Sequence, residues 1–177
     1  MKKGVFIIVA LLLSSLSLIT SAQKCKFDKE EVDAFSKEYR RSTDYMKISK
    51  APMWWIQFEQ RDKSYYMTVF ISLLKEVREP IKKDSKIMVK LKDGQILEFV
   101  ITEDVASVVN VEQQRFIVSQ WTPKVAVTED QLKKLSSSPI EQVRTTVGGN
   151  ECNMPEAVNR GTEKVMNMAA CLLIAKQ

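Results

Sequence analysis

The stretch "KIMVKLKDGQILEFVIT", residues 86–102, constrains the fold of this 177-residue chain more than any other. Apolar and charged residues alternate on both sides of an Asp-Gly dipeptide, as in two antiparallel strands joined by a tight turn. A two-residue turn would set apolar side chains opposite charged ones, whereas a three-residue loop over residues 92–94 pairs Val89 with Leu97. We therefore predict the three-residue loop and a sheet with one buried face.

The same alternation occurs in the two runs before this hairpin. "MWWIQFEQ" places Trp54, Ile56 and Phe58 on one face, and "YYMTVFISLL" alternates in the same way after the polar "RDKS". These runs predict two paired antiparallel strands. Further strands are predicted for "EQQRFIVSQW" and "PIEQVRTTV", and the second of them ends at a Gly-Gly turn.

Two helices are predicted in the C-terminal half. Thr128 and Gln131 have the spacing of a capping box, which indicates a short helix that ends before Pro139. In the last stretch, Asn153 has the position of a helix cap, and apolar residues then recur at helical spacing up to Leu172. A long helix from about residue 155 follows from this pattern.

Together these patterns predict one α+β domain over residues 23–177. Its core would be a twisted, mainly antiparallel sheet of about six strands, covered on one face by the long C-terminal helix. Residues 29–40 leave two alternatives open. Val32, Phe35 and Tyr39 fit an amphipathic helix, and an extended conformation is the other possibility.

Residues 1–22 have the pattern of a cleaved export signal: two lysines, an apolar run and small residues before Gln23. Serines interrupt the apolar run before it reaches the roughly 20 residues of a spanning helix. We therefore expect a periplasmic or secreted protein with no transmembrane span after cleavage. The net charge of +5 includes two signal lysines, and the other basic residues are mixed with acids, so no nucleic-acid partner is predicted.

Three cysteines in an oxidising compartment predict one disulfide and one free thiol. A helix from residue 155 would carry Cys171 about 24 Å from the helix start near Cys152. Bridged Cα atoms lie within about 7 Å, so this pairing is disfavoured. Cys25 is then one partner, and the spacing leaves the other open.

The chain has no histidine, which excludes Ser-His-Asp and Cys-His catalysis and histidine metal sites. It also has no C-x-x-C pair and no glycine-rich phosphate loop, so we predict no metal site and no cofactor. Two carboxylate pairs, Glu103-Asp104 and Glu129-Asp130, lie where turns and a helix start are expected.

Serine and lysine stand close together at two places. "SLLK", residues 72–75, matches the S-x-x-K string of penicillin-binding enzymes, but Ser72 lies late in a strand, where Lys75 would face the other side. In "KKLSSSP" the lysines and serines fit the end of a helix. We therefore predict no catalytic residue.

Three segments of the chain resemble a recurring pattern. "CKFDKEEVDAFSKEYRRST" resembles its "C…D-x-F-T-G…T" opening, "KIMVKLKDGQILEF" its lysine, strand, D-G, strand hairpin, and "VTEDQLKKLSSSPIEQVR" its helix, L-x-x-S-P, I-x-x-x-R element. The pattern is that of a family of small, uncharacterised exported proteins of Gram-negative bacteria, and it covers most of residues 25–175. The resemblance implies a Cys25–Cys171 disulfide and an extended segment over residues 33–48. It implies no activity and no catalytic residue.

The leading hypothesis is a non-enzymatic binding or accessory module for an unknown protein or small ligand in the cell envelope. One alternative is a secreted hydrolase that uses paired carboxylates or Ser72 with Lys75. Another is an inhibitor of a secreted enzyme that presents a loop such as residues 80–86. Converging acids or a Ser-Lys contact in a cleft would favour the enzyme, and an exposed apolar patch, such as residues 168–173, would favour the binding module.

Overall fold

The computed structural model describes residues 25–112 and 116–174, so the predicted signal lies outside the described residues. The described part contains twelve strands and two helices. In chain order these are β1 (Lys29–Val32), β2 (Tyr39–Ser42), β3 (Met46–Lys47), β4 (Trp55–Arg61), β5 (Ser64–Leu73), β6 (Lys86–Leu91), β7 (Ile96–Val100), β8 (Val108–Glu112), β9 (Phe116–Trp121), β10 (Lys124–Val127), α1 (Glu129–Ser137), β11 (Ile140–Val147), β12 (Asn150–Asn153) and α2 (Asn159–Leu173).

The strands form two antiparallel sheets that make a half-barrel, so the prediction of one six-stranded sheet was wrong. The larger sheet has eight strands in the order β1-β2-β4-β5-β9-β8, with β3 paired to β4 and β10 paired to β5. The smaller has the order β12-β11-β6-β7. The charged, proline-containing segment 74–85 ends the pairing of β5, and β6 therefore starts a new sheet.

The register predicted for the hairpin of β6 and β7 is confirmed, and so is the antiparallel pairing of β4 with β5. In β6 and β7, Val89 lies opposite Leu97, and the loop of residues 92–94 places Gly94 at a φ of +89°. Only glycine adopts this conformation readily, which explains the residue type at that position. In β4, every second side chain faces inward as predicted: Trp54, which precedes the strand, Ile56 and Phe58 are fully buried.

The short helix α1 is confirmed with its predicted cap. Thr128 accepts a hydrogen bond from the Gln131 backbone, and the Gln131 side chain accepts one from the Thr128 backbone. The start predicted for the long helix was wrong. Asn153 ends β12, where it pairs with Arg144, and α2 begins only at Asn159.

Helix α2 contacts α1 and strands β3, β4 and β11, so it touches both sheets rather than one face of a single sheet. Val165, Ala169 and Leu172 are buried in this contact. Gly161 makes the contact with β3 possible, because a Cβ atom there would overlap the carbonyl oxygen of Lys47.

Residues 29–40 contain strand and turn but no helix, so the helical alternative was wrong. They form the hairpin of β1 and β2, whose turn places Lys37 in the left-handed region at a φ of 60°. Val32 and Phe35 are both exposed, which means that the amphipathic pattern of this segment does not mark a buried face.

A disulfide joins Cys25 to Cys171 and ties the start of the described chain to the last turn of α2. This is the pairing that the family resemblance implies. Cys152 is a free, buried thiol in β12.

Candidate binding surface

The serine-lysine pair of the S-x-x-K string is not assembled. Ser72 is buried in β5 opposite Gln120, and Lys75 follows the end of the strand with an exposed side chain. Within the described residues no hydrogen bond joins the Ser72 hydroxyl to Lys75. The geometry therefore gives no support to a lysine-activated serine at this position.

The serines of "KKLSSSP" bind the backbone of their own helix. Ser136 donates to the carbonyl oxygen of Lys133 at 2.7 Å, and Ser137 donates in the same way one residue later. The lysine side chains form ion pairs one turn back, as between Lys133 and Glu129 at 2.7 Å. These groups thus stabilise α1 and its end, as the sequence predicted.

The carboxylate of Asp104 holds the loop proposed for enzyme inhibition. It accepts hydrogen bonds from the Lys83 backbone N–H at 2.8 Å and from the Lys82 ammonium at 2.9 Å. These bonds, the backbone one first, hold the pKa of Asp104 below its ordinary value. In the described part of the chain, no group of three or more acids and cysteines is placed to hold a metal ion.

Four exposed apolar side chains lie together on the hairpin of β8 and β9. Strand β8 is the last strand of the larger sheet, and among the described residues it has a neighbouring strand on one side only. Val108, Val111, Phe116 and Ile117 are all exposed on this hairpin, and Val111 is 67% exposed. Val111 lies opposite Ile117 in the register, so these two form one apolar patch on one face.

The base of this hairpin is fixed by a segment that crosses it, residues 75–79, which we call the strap. The fully buried Ser119 donates to the carbonyl oxygen of Lys75 at 2.8 Å and accepts from the backbone N–H of Val77 at 2.8 Å. Ser107 also donates to the carbonyl oxygen of Val77. The hairpin is therefore anchored to the domain by buried hydrogen bonds.

An open groove of about 510 Å³ lies between the strap and the hairpin. On the hairpin side its walls are apolar, and on the strap side Glu76 and Arg78 form an exposed ion pair at 2.7 Å. An apolar surface beside a charged rim is the usual composition of a protein-binding surface. The groove is lined by Glu76, Arg78, Ser107, Val109, Val111 and Ile117.

The two edges of the larger sheet differ in charge. Strand β1 carries Lys29, Glu30 and Glu31, and charged side chains of this kind keep an edge strand from pairing with another chain. The first four residues of β8, Val-Val-Asn-Val, are uncharged. The edge at β8 thus lacks the charges that protect the edge at β1.

A second exposed apolar residue, Phe35, lies at the tip of the hairpin of β1 and β2 and is 97% exposed. Its backbone N–H donates to the Asp33 carboxylate at 3.0 Å, and Ser36 donates to the same oxygen through its backbone and its hydroxyl. These bonds, led by the backbone N–H of Ser36, hold the pKa of Asp33 below its ordinary value. Phe35 does not line the groove beside the strap.

The apolar patch suggested for residues 168–173 is instead part of the packed core, since Ala169 and Leu172 are buried. Sequence reasoning missed the surface at β8 and interpreted "EQQRFIVSQW" only as a strand. The signal for it was a β-branched run without charges, from Val108 to Val111, next to that strand.

No family model, no curated protein and no solved structure matches the chain. The family resemblance therefore stays a prediction. Among the helices of the described residues, none has the length and apolarity needed to cross a membrane.

Proposed function

We propose that the protein is an exported, non-enzymatic binding module of the periplasm or the cell exterior, and that it binds protein through the hairpin of β8 and β9. The single observation that carries this proposal is the edge of β8, which is uncharged over its first four residues and has exposed apolar side chains at Val108 and Val111. An edge of this kind offers unpaired backbone groups as well as apolar area, which is how many proteins take up a partner strand.

The hydrogen bonds at Ser119 support the proposal. A hairpin anchored at its base presents its apolar side chains in a fixed arrangement before any partner arrives, which reduces the entropy cost of binding. The groove beside it has an apolar wall on the hairpin side, and the ion pair of Glu76 and Arg78 lies at its rim.

The Cys25–Cys171 disulfide supports export, because such bonds persist in oxidising compartments. Export is tested by sequencing the N-terminus of the protein recovered from outside the cytoplasm. We expect it to begin at Gln23. An uncleaved N-terminus in the exported fraction would contradict the signal assignment.

Binding is tested by placing a photo-crosslinking residue at Val111 in the cells that produce the protein. Val32 is the matched control, because it is also a valine at a strand edge and is 59% exposed, but lies on the charged strand β1. We expect a discrete crosslinked species from position 111 and none from position 32. The same diffuse products at both positions would count against a binding function for β8.

A further inference from the structure

We infer that the strand taken up by β8 is β8 of a second copy of this chain, paired antiparallel about a two-fold axis at Asn110. This inference rests on the proposed function, which requires only that the hairpin of β8 and β9 binds protein. It names the partner, and with it the surface that the partner covers.

The sequence of β8 fits such a pairing. A two-fold axis through Asn110 sets Val108 opposite Glu112 at the two ends of the pairing and sets Asn110 opposite its own copy. It also sets Val109 opposite Val111 of the second copy. Directly opposite side chains in antiparallel strands have Cβ atoms about 5 Å apart, so Val109 and Val111 would each gain an apolar neighbour at the centre of the pairing. An asparagine opposite an asparagine is also compatible, because the Asn110 amide nitrogen has a second hydrogen beside the one it donates to the Gln120 side-chain oxygen at 3.1 Å, and its amide oxygen accepts.

The charges favour β8 over the other edge. Because residues 108–111 are uncharged, no like charges meet in the centre of the pairing. On β1, a two-fold axis at the middle of the strand would set Glu30 opposite Glu31 of the second copy, and like charges directly opposite each other destabilise a sheet. Self-pairing is thus compatible with β8 and unfavourable at β1.

The grooves also suit this arrangement. A two-fold axis between antiparallel neighbours stands perpendicular to the sheet, so each face of one sheet continues into the same face of the other. Val109 and Val111 line the groove on one face. The two grooves would therefore adjoin, and the patch of Val111 and Ile117 would be covered along its edge by Val109 of the second copy.

The first experiment measures the oligomeric state by sedimentation velocity of the protein purified from the periplasm after expression of the full chain. We expect a dimer whose population rises with concentration. Val111→Lys, which adds a charge to the edge, should shift the protein to the monomer, and Val32→Lys on the charged edge should not. A wild-type monomer up to about 1 mM would overturn the inference.

The second experiment tests the register. Asn110→Cys places a thiol on the proposed two-fold axis, and oxidation should give a covalent dimer on a non-reducing gel. Gln120→Cys is the matched control, because Gln120 is on the adjacent strand β9, away from the free edge. Crosslinking of the control as readily as the Asn110 variant would overturn the pairing.

The two proposals fail in different ways. A monomeric wild type together with a specific crosslink from position 111 to another protein would disprove self-pairing but would support the proposed binding function. A dimer that Val111→Lys does not weaken would disprove self-pairing through β8. Absence of any specific crosslink from position 111, to a second copy or to another protein, would disprove the binding function itself.

Discussion

The guanidinium of Arg41 donates through Nη2 to the carbonyl oxygen of Leu172 at 2.8 Å and to that of Ile174 at 3.1 Å. Arg41 belongs to β2 and is only 6% exposed. The last carbonyls of a helix have no partner within the helix, and the negative end of the helix dipole favours a cation there. Arg41 thus caps α2 from a distant strand, next to the residue that carries the disulfide, Cys171.

Arg41→Met should lower the free energy of unfolding by about 3 kcal/mol, because it leaves the buried carbonyl group of Leu172 and the partly buried one of Ile174 without this donor. Urea denaturation followed by circular dichroism measures this change. Arg40→Met is the matched control, since Arg40 is on the same strand and forms a partly exposed ion pair with Glu38. It should cost less than about 1 kcal/mol. Equal losses for both variants would show that the contact with α2 contributes nothing.

Gly161→Ala should destabilise the protein by about 2 kcal/mol, although alanine is the better helix former. The added Cβ would overlap the carbonyl oxygen of Lys47, so α2 has to move away from β3. Glu163→Ala on the exposed side of the same helix is the control and should change stability by less than about 0.5 kcal/mol. A stabilised Gly161→Ala variant would show that helix propensity outweighs this contact.

Sequence patterns correctly predicted the structural features that are determined by residues close together in the chain. The loop at Gly94 and the cap at Thr128 depend on residues within a few positions, and both have the predicted geometry. The start of α2 was missed because Asn153 fits a helix cap locally but is held in β12 by pairing with Arg144. Pairing across the hairpin of β11 and β12 overrode the capping preference of Asn153 at this position.

The candidate surface could not be predicted for a related reason. A strand with β-branched residues has the same pattern whether its side chains are buried or exposed, and Val118 and Val111 of one hairpin differ in this way. What decides burial is the number of neighbouring elements, and in the described part of the chain β8 pairs with β9 alone. The division into two sheets, which leaves β8 at an edge, depends on the whole chain rather than on any one segment.

Cys152 should be the one thiol that an alkylating reagent labels in the unfolded, non-reduced protein. In the native protein we expect slow labelling, because Cys152 is 7% exposed and burial raises the pKa of its thiol, an effect that Lys75 opposes. Labelling with iodoacetamide across pH 7–11, followed by mass spectrometry, measures both. Three labelled thiols in the unfolded, non-reduced protein would contradict the disulfide.

The raised pKa of Cys152 also fixes the direction of its effect on stability. The unfolded chain loses this proton at a lower pH than the folded protein does. The folded state is therefore favoured fully below the ordinary thiol pKa of 9.0 and loses that advantage as the pH rises above it. Cys152→Ser should reduce the loss of stability between pH 8 and pH 11 in urea denaturation. An unchanged pH dependence would exclude a contribution from this thiol.

Replacing both Cys25 and Cys171 by serine should lower the free energy of unfolding by about 2–5 kcal/mol, since the bond closes a loop between residues 146 positions apart. The wild type in reductant should unfold at the same urea concentration as this double variant, and the double variant should not respond to reductant. Cys152→Ser is the matched control and should keep the full response of the wild type. If the double variant still lost stability in reductant, or if Cys152→Ser lost its response, the bond in solution would involve Cys152 instead.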